Sequence, residues 1–212
     1  MIKTQNIFYY FRAQNKNQSL LDQKMGKTKF RFRGADGTRF QCDLQCRFCT
    51  ERTKGGRGPT CRRRTCLSLP WCWMHAARNH GLRIKESQAV PGTKGLFATQ
   101  RFAANTNMAQ YLGERLTQAQ LDRRYGDYTA PYALQHGREG WILDAACRRS
   151  MASMANSARG TRRRNNARFS VRRDGTVWIR STEVIRPGTE ILLRYGRDYW
   201  QGPQDSEHHT ST

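Results

Sequence analysis

The cysteines are the first residues in this chain whose spacing could support chemistry. Six of the seven fall within residues 42–72. Zinc takes four thiolate or imidazole ligands in a tetrahedron, and ligand pairs two to four residues apart supply them from tight turns. Cys46-x2-Cys49 and Cys72-x2-His75 are two such pairs. The sequence therefore predicts that this segment binds zinc.

The spacing does not choose the four ligands. The candidate ligands are Cys46, Cys49, Cys61, Cys66, Cys72 and His75. A second complete site would also need His80. The alternative of three disulfides is open by count, but nothing in the sequence resembles a secretory signal that would lead to an oxidising compartment. Metal binding is the favoured interpretation, and Cys147 stands apart from the cluster.

A second stretch with chemical potential is aromatic and lies near the end of the chain. Pro187-Gly188 predicts a turn, and the apolar residues 191–193 after it predict a short buried strand. Tyr195, Tyr199 and Trp200 follow. Such rings can wall a narrow slot that holds a cation over their faces. The alternative is that they simply pack in the core.

The net charge of the chain suggests which class of partner it binds. Its 212 residues carry 38 Lys and Arg against 16 Asp and Glu, a formal net charge of +22. Such a field attracts polyanions and acidic surfaces, which makes nucleic acid and nucleosomes candidate partners. No apolar run approaches the roughly 20 residues that span a bilayer, so we expect a soluble, intracellular protein and no membrane partner.

Composition divides the chain into four parts. We predict a basic, disordered arm at residues 1–40, a Cys/His zinc knuckle at 41–80, a folded domain at 81–200 and a polar tail at 201–212.

The folded domain has the pattern of a mostly-β structure with a few short helices. Residues 82–85 alternate apolar and charged side chains, and residues 141–145 form another short apolar run, so both predict strands. Asp174-Gly175 predicts a hairpin. Thr117 and Gln120 form a capping box that predicts a helix ending at Gly126.

Taken in order, residues 82–200 resemble a SET domain of the protein lysine methyltransferases. The matching motifs are Gly92-Thr93-Lys94-Gly95-Leu96-Phe97-Ala98, Tyr111-Leu112-Gly113-Glu114, Ile142-Leu143-Asp144-Ala145, Ala152-Ser153-Met154-Ala155-Asn156-Ser157-Ala158, Asn165-Asn166-Ala167, Gly188-Thr189-Glu190-Ile191-Leu192 and Tyr195-Gly196. Each motif is weak alone, and their common order makes the resemblance specific. The cysteine segment is similar to the short Cys/His knuckle that precedes some compact SET domains.

The resemblance implies a SET-type β-clip fold that binds S-adenosyl-L-methionine and methylates a protein lysine, most typically in a histone. It implies catalytic roles for Tyr195 and Tyr111. The cofactor-binding residues that it implies are Lys94, Gly95, Leu96, Phe97, Asn156, Ser157, Tyr195 and Trp200. It also implies a nuclear, chromatin-associated protein if the source is eukaryotic, while Asp144 and Glu190 are expected to be structural.

The chain departs from the family pattern at several points. Thr93 occupies the place of the first loop glycine, so Gly92 would have to supply the flexibility, and Ser157 replaces a histidine near the adenine. Leu193 stands where many members have an aromatic residue, which leaves the number of methyl groups transferred open. No post-SET cysteines follow Trp200, so a lid would come from the aromatics, from the basic loop at 159–164 or from the second subunit of a homodimer.

Two functions are therefore open. The first is a methyltransferase whose basic segments dock on a nucleosome and contact nucleic acid non-specifically. The second is a catalytically weak SET-like protein whose zinc knuckle and arginine-rich surface bind nucleic acid or chromatin. For the methyltransferase, a non-histone substrate such as a ribosomal protein is also open, because the same charge permits it.

Overall fold

The structure, a computed structural model, describes residues 27–33, 39–45, 47–65, 71–125, 130, 132–136 and 140–195. Within these residues the chain forms small antiparallel sheets joined by turns, with two short α-helices. The prediction of a mostly-β fold is confirmed.

The strands and helices are short throughout. The strands are β1 (Lys27–Arg33), β2 (Arg39–Gln45), β3 (Arg47–Phe48), β4 (Arg64–Thr65), β5 (Leu82–Glu86), β6 (Lys94–Ala98), β7 (Asn107–Tyr111), β8 (Glu114–Leu116), β9 (Ala133–His136), β10 (Trp141–Asp144), β11 (Ala167–Val171), β12 (Val177–Ser181) and β13 (Glu190–Ile191). The helices are α1 (Trp73–Asn79) and α2 (Gln118–Tyr125), and single 3-10 turns lie at Lys54–Gly56 and Met151–Met154. Neither of these described helices has the length and apolar character that a membrane crossing demands.

Three three-stranded sheets form the described part of the larger domain. Their strand orders are β13-β6-β5, β11-β12-β7 and β8-β10-β9. The main core lies among them and includes Leu96, Ile179 and Ile191, which are fully buried. Helix α1 contributes Ala76 to this core, so the Cys/His segment is packed into the larger domain.

The N-terminal segment differs from its prediction. Strands β1 and β2 pair along their whole length, from Lys27 with Gln45 to Arg33 with Arg39. The prediction of a disordered arm through residue 40 is therefore wrong for these strands. The alternation of basic and aromatic residues around Phe30 and Phe32 has the period of a strand, and it outweighs the high charge. Residues 1–26 lie outside the described part of the chain.

Local turn and capping signals are confirmed. The Thr117 amide donates to Gln120 Oε1 at 2.8 Å, and the Gln120 amide donates back to Thr117 Oγ1 at 3.3 Å. Helix α2 ends at Tyr125, next to the predicted Gly126, which is outside the described residues. Gly175 has φ +76° in the turn between β11 and β12.

The cysteines of the cluster and the isolated cysteine of the larger domain differ in redox state. Cys147 is disulfide-bonded, while Cys49, Cys61 and Cys72 are free. The spacing of the sequence could not show this, because Cys147 has no neighbouring cysteine with which to form a recognisable pair.

The segment from Glu190 onward is clasped by two stretches of chain that precede it. The Asn166 side chain donates to the Glu190 carbonyl at 2.8 Å and accepts from the Leu192 amide at 2.9 Å. On the other flank, the Leu193 amide donates to the Asn156 carbonyl at 2.7 Å. The final strand is therefore held between residues 155–158 and 165–167. We call these hydrogen bonds from Asn156 and Asn166 to the final strand the clasp.

The Glu190 carboxylate is structural, as expected. It is buried and accepts from the Ser87 hydroxyl at 2.6 Å, the Gln88 amide at 2.8 Å and the Ala89 amide at 3.0 Å. It also explains Gly95, because a Cβ there would lie 2.3 Å from Glu190 Oε1. The carboxylate thus fastens the loop before β6 to the final strand.

Asp144 is the second buried structural carboxylate. It accepts from Arg124 Nη1 at 2.6 Å, from the Tyr125 hydroxyl at 3.0 Å and from the Ala146 amide at 2.9 Å. Arg124 also donates to Glu114 at 2.6 Å, and these two carboxylates raise the pKa of its guanidinium despite its burial. Helix α2 is tied in this way to β8 and β10.

We expect Glu190→Ala to lower the free energy of unfolding by about 3 kcal/mol, because it leaves donors at Ser87, Gln88 and Ala89 without their acceptor. Urea unfolding measures the change. Glu183→Ala, at an exposed position, is the matched control and should change stability by less than about 0.5 kcal/mol. Equal effects of the two substitutions would contradict the structural role.

Candidate functional site

The first candidate site is a cluster of three cysteines and one histidine. Cys49 directly follows β3, Cys61 precedes β4, Cys72 is the N-cap residue of α1, and His75 lies in the first turn of α1. All four side chains are buried. A helix brings residues three positions apart to the same face, so Cys72 and His75 converge because of α1.

The distances in the cluster suit a tetrahedral metal. Cys49 Sγ lies 3.2 Å and Cys72 Sγ 3.5 Å from His75 Nδ1, and Cys61 Sγ lies 4.0 Å from Cys72 Sγ. All four ligand atoms lie within 4.8 Å of one another. Zn–S and Zn–N bonds of about 2.3 and 2.0 Å in a tetrahedron give ligand separations of about 3.5–3.8 Å. The cluster therefore fits zinc.

The environment of Cys72 favours the thiolate that zinc needs. Burial by itself would raise the pKa of this thiol, but hydrogen bonds from the backbone amides of His75 and Met74 outweigh it and lower the pKa below its ordinary value. Burial raises the pKa of Cys49 instead. A bound cation would stabilise both thiolates.

Four of the six predicted zinc ligands lie together in the structure. It brings together Cys49, Cys61, Cys72 and His75, while Cys46 and Cys66 lie outside the described residues. His80 does not join the cluster. Its ring stacks on Trp71 with centroids 3.3 Å apart, and its Nε2 lies 3.6 Å from Glu51.

Sequence reasoning missed helix α1, which builds half of this site. The signal was present, because Cys72-x2-His75 has the i, i+3 spacing of a helix start and the residues after it are good helix formers. The zinc-knuckle interpretation treated that pair as a turn.

The second candidate site lies where the final strand meets the segment around Asn156. Asn156 Nδ2 donates to the Lys94 carbonyl at 3.0 Å and to Thr93 Oγ1 at 3.2 Å. The Tyr195 hydroxyl donates to the Ala155 carbonyl at 2.6 Å. Ala155 thus accepts the hydrogen bond of Tyr195, and its neighbour Asn156 holds the turn before β6 with its side chain.

Thr93 fits the place where the resemblance expects glycine. It is buried and shares its hydroxyl with Asn156, while Gly92 before it has φ +78°, as the shortened loop requires. Ser157 is also buried, and its hydroxyl accepts from the Arg159 amide at 3.2 Å. The role of Ser157 in cofactor binding stays a prediction.

The glycine motif forms strand β6 rather than an open loop. Leu96 and Phe97 pair with β5 on one side and β13 on the other, and both side chains are buried. The backbone of Leu96 and Phe97 is therefore covered on both sides by neighbouring strands. Lys94 forms an ion pair with Glu86. Cofactor roles for Lys94, Gly95, Leu96 and Phe97 stay predictions.

Tyr111 ends strand β7 and is buried. Its hydroxyl donates to the Tyr132 carbonyl at 2.8 Å, and its ring meets Phe169 edge to face at 5.4 Å. Tyr195 packs against the same core as Tyr111. Trp200, the third predicted wall of the aromatic slot, lies outside the described residues, as does Tyr199.

Two histidines test the assignment of the metal ligands. His75 lies in the first turn of α1, and His80 lies at the C-terminal end of this helix. We expect His75→Ala to lower the zinc content of the purified full chain, because it removes one of the four clustered ligands, and His80→Ala to leave it unchanged. Elemental analysis by mass spectrometry gives the stoichiometry. Zinc lost in His80→Ala and kept in His75→Ala would show that the ligands are other residues.

Comparison with known proteins matches this part of the chain to a family model. The SET domain model matches residues 93–196, which contain both Asn156 and Tyr195. A search of curated proteins finds no match to the chain.

Two solved structures are similar to this chain. The methyltransferase domain of human PR domain-containing protein 2 is 18% identical over 58% of this chain and 83% of its own, with a TM-score of 0.45. A humanized mutant of the Chaetomium thermophilum Polycomb Repressive Complex 2, bound to an inhibitor, is 20% identical over 54% of this chain and 15% of its own, with a TM-score of 0.46. On this match, residues 93–196 of the chain are a SET domain.

Proposed function

We propose that the chain is an S-adenosyl-L-methionine-dependent protein lysine N-methyltransferase that acts on a histone lysine. The observation that carries the proposal is the position of Tyr195 within the SET match. Its hydroxyl is bound to the Ala155 carbonyl, next to the Asn156 side chain that grips residues 93 and 94. A cofactor held at that turn would lie beside this tyrosine.

The cofactor would supply a methyl group on a positively charged sulfur. After the lysine ammonium has lost one proton, its nitrogen would form a bond to that carbon as the carbon–sulfur bond breaks. The amine must be neutral to attack, and the two reacting atoms must be held about 3–3.5 Å apart in line. The protein therefore has to position the reactants and desolvate the ammonium.

Tyr195 is suited to the positioning. Because its hydroxyl donates to the Ala155 carbonyl, its orientation is set and its oxygen keeps acceptor capacity. An electropositive methyl group can form C–H···O contacts with such an oxygen, which are weak singly but directional. Tyr111 contributes a second fixed hydroxyl through its bond to the Tyr132 carbonyl.

The two carboxylates that are buried in the described part of the SET domain are unsuited to remove the proton. Asp144 and Glu190 each accept three described hydrogen bonds from groups of the fold. A lysine ammonium that enters an aromatic, low-dielectric site has a lowered pKa and can lose its proton to water. The mechanism needs no carboxylate base.

The departures from the family pattern are compatible with activity. Thr93 is buried and bonded to Asn156, so the shortened glycine loop is still anchored to the segment before the final strand. The Ser157 hydroxyl serves a local turn through the Arg159 amide, which leaves the backbone of the segment in place. We propose that this backbone contacts the cofactor.

Charge supports a nucleosomal substrate and, with it, a nuclear location. A net charge of +22 attracts acidic surfaces, and Arg162, Arg163 and Arg164 are exposed on the loop that follows the Asn156 segment. These arginines could hold the enzyme on a nucleosome while a histone lysine enters the site.

A second function is favoured by one observation outside the SET domain. Phe48 and Trp73 are exposed beside arginines of the Cys/His segment. If the site binds no cofactor, this surface would be the working part of a SET-like protein that binds nucleic acid or chromatin.

The proposal is tested by incubating the full chain with isotopically labelled S-adenosyl-L-methionine and nucleosomes, free histones or core histone tails. Peptide mass spectrometry then locates the label. We expect methylated lysine in a histone. Label on arginine or on nucleic acid, or no label with folded, zinc-loaded protein, would contradict the proposal.

We expect Tyr195→Phe to lower kcat at least about tenfold while the Kd for the cofactor changes little, because the substitution removes one hydroxyl aimed by a hydrogen bond of about 1 kcal/mol or more. Single-turnover kinetics and calorimetry measure the two quantities. Tyr125→Phe, which removes a buried hydroxyl bound to Asp144, is the control and should keep kcat. A fully active Tyr195→Phe would remove this hydroxyl from the mechanism.

A further inference from the structure

We propose that the outer face of the sheet β11-β12-β7 binds single-stranded nucleic acid. The face is made of six residues, which we call the Arg/Trp face: Arg168, Ser170, Trp178, Arg180, Asn107 and Gln110. The proposal does not depend on methyl transfer, because the reaction uses none of these residues and binding can be measured without S-adenosyl-L-methionine.

The register of the sheet puts the six residues on one side. Directly paired residues of an antiparallel ladder point to the same side, and so do residues two apart on a strand. The pairing arranges them in two neighbouring rows, Arg168 with Arg180 with Asn107, and Ser170 with Trp178 with Gln110.

The opposite side of the sheet is the core side. Val177 and Ile179 alternate with the outward residues of β12 and are buried in the main core, as are Ala109 and Tyr111 of β7. The six residues of the Arg/Trp face are by contrast half-buried or exposed. A ligand can therefore lie across this face.

The first row places two like charges directly opposite each other. Arg168 and Arg180 are cross-strand partners, whose Cβ atoms lie about 5 Å apart, and like charges in such positions destabilise a sheet. Neither arginine forms an ion pair with a residue in the described part of the chain. An anion between the two guanidinium groups would remove the repulsion and gain charge-assisted hydrogen bonds.

Two buried polar atoms of the same row lack partners among the described residues. They are the donor Arg180 Nε and the acceptor Asn107 Oδ1. The register between β12 and β7 shifts between Ile179 and Arg180, and such irregularities re-aim side chains next to binding sites. A buried donor without an acceptor is costly, and a ligand oxygen at this row would supply the acceptor.

The second row supplies a ring. Trp178 Nε1 donates to Thr176 Oγ1 at 3.0 Å, which fixes the ring on the face, and the Arg172 guanidinium lies 6.0 Å from its centroid. Asp174 is the only acidic residue in residues 167–181, and its Oδ1 accepts from the Thr176 hydroxyl at 2.7 Å. A ring held between arginines can stack a base while they neutralise phosphates.

A single strand fits this face better than an acidic peptide or a duplex. Extended peptides join sheets at an edge strand, whereas Trp178 and Arg180 lie on the central strand and face outward. In a duplex the bases are stacked on one another, so they cannot meet the ring. Sheet faces that bind RNA stack unpaired bases on aromatic side chains.

The test measures binding of a short fluorescent oligothymidine to the full chain by anisotropy at several salt concentrations. We expect Arg168→Gln and Arg180→Gln each to weaken binding about fivefold at low salt and to lower the slope of log K against log salt by about 0.7, because each removes the charge that neutralises one phosphate. Trp178→Leu should weaken binding about tenfold with the slope unchanged, because it removes a stacking ring but no charge.

Two further measurements separate binding from a structural role. Trp178→Phe keeps a ring and should restore most of the binding that Trp178→Leu loses. Arg168→Gln should leave the Tm of the free protein unchanged or raise it, because the variant no longer opposes two like charges. Substitution of an arginine that only stabilises the fold would lower the Tm.

Matched substitutions on the other sheets control for general charge attraction. Arg83 is an exposed arginine on β5. Trp141 is a half-buried tryptophan on β10, with the Arg115 guanidinium 4.8 Å from its ring centroid. Arg83→Gln and Trp141→Leu should each leave the affinity within about twofold, because salt screens charges that lie outside the contact.

Three results would overturn the proposal. The first is no binding of the oligonucleotide at low salt by folded protein. The second is that the substitutions at Arg168, Arg180 and Trp178 weaken binding no more than those at Arg83 and Trp141. The third is tighter binding of polyglutamate or of duplex DNA with the same dependence on the face, which would assign it to an acidic protein or to double-stranded DNA.

Discussion

The clasp around the final strand is the interaction on which the rest of the SET domain depends. Asn166 bonds to the Glu190 carbonyl and the Leu192 amide, and the Leu193 amide bonds to the Asn156 carbonyl. Two asparagines from earlier in the chain thus hold one short strand from both sides. Because Tyr195 follows that strand closely, the clasp sets the position of the tyrosine, and the same Asn156 reaches the turn before β6 through its side chain.

The metal cluster is coupled to this domain through helix α1. Cys72 and His75 lie at the start of the helix, and Ala76 at the next position packs in the main core. Thr99 beyond β6 donates its hydroxyl to the Ala77 carbonyl at 2.6 Å. The Cys/His segment is therefore ordered by the SET core on one side, and a zinc ion in the cluster would add order on the other, which would explain how a segment with so few apolar residues can fold.

Much of the site could be predicted because it depends on short motifs whose chemistry is local. The Cys/His cluster follows from cysteine spacing, and the Thr117 capping box and the Asp174-Gly175 hairpin follow from neighbouring residues. The mostly-β fold and the SET match followed from the order of the motifs.

The sequence did not predict the N-terminal hairpin, since its high charge hid the alternation of a strand. It did not show that β6 pairs on both sides, because its partner β13 is more than 90 residues away. The disulfide of Cys147 is likewise a bond that spacing does not reveal.

The central claim is that the clasped strand and the Asn156-held turn form a site for S-adenosyl-L-methionine. Calorimetric titration of the zinc-loaded full chain with the cofactor tests it most directly. We predict one cofactor bound per chain, and weaker binding by Asn156→Ala at the same folded fraction. Absence of binding by folded wild-type protein would contradict it.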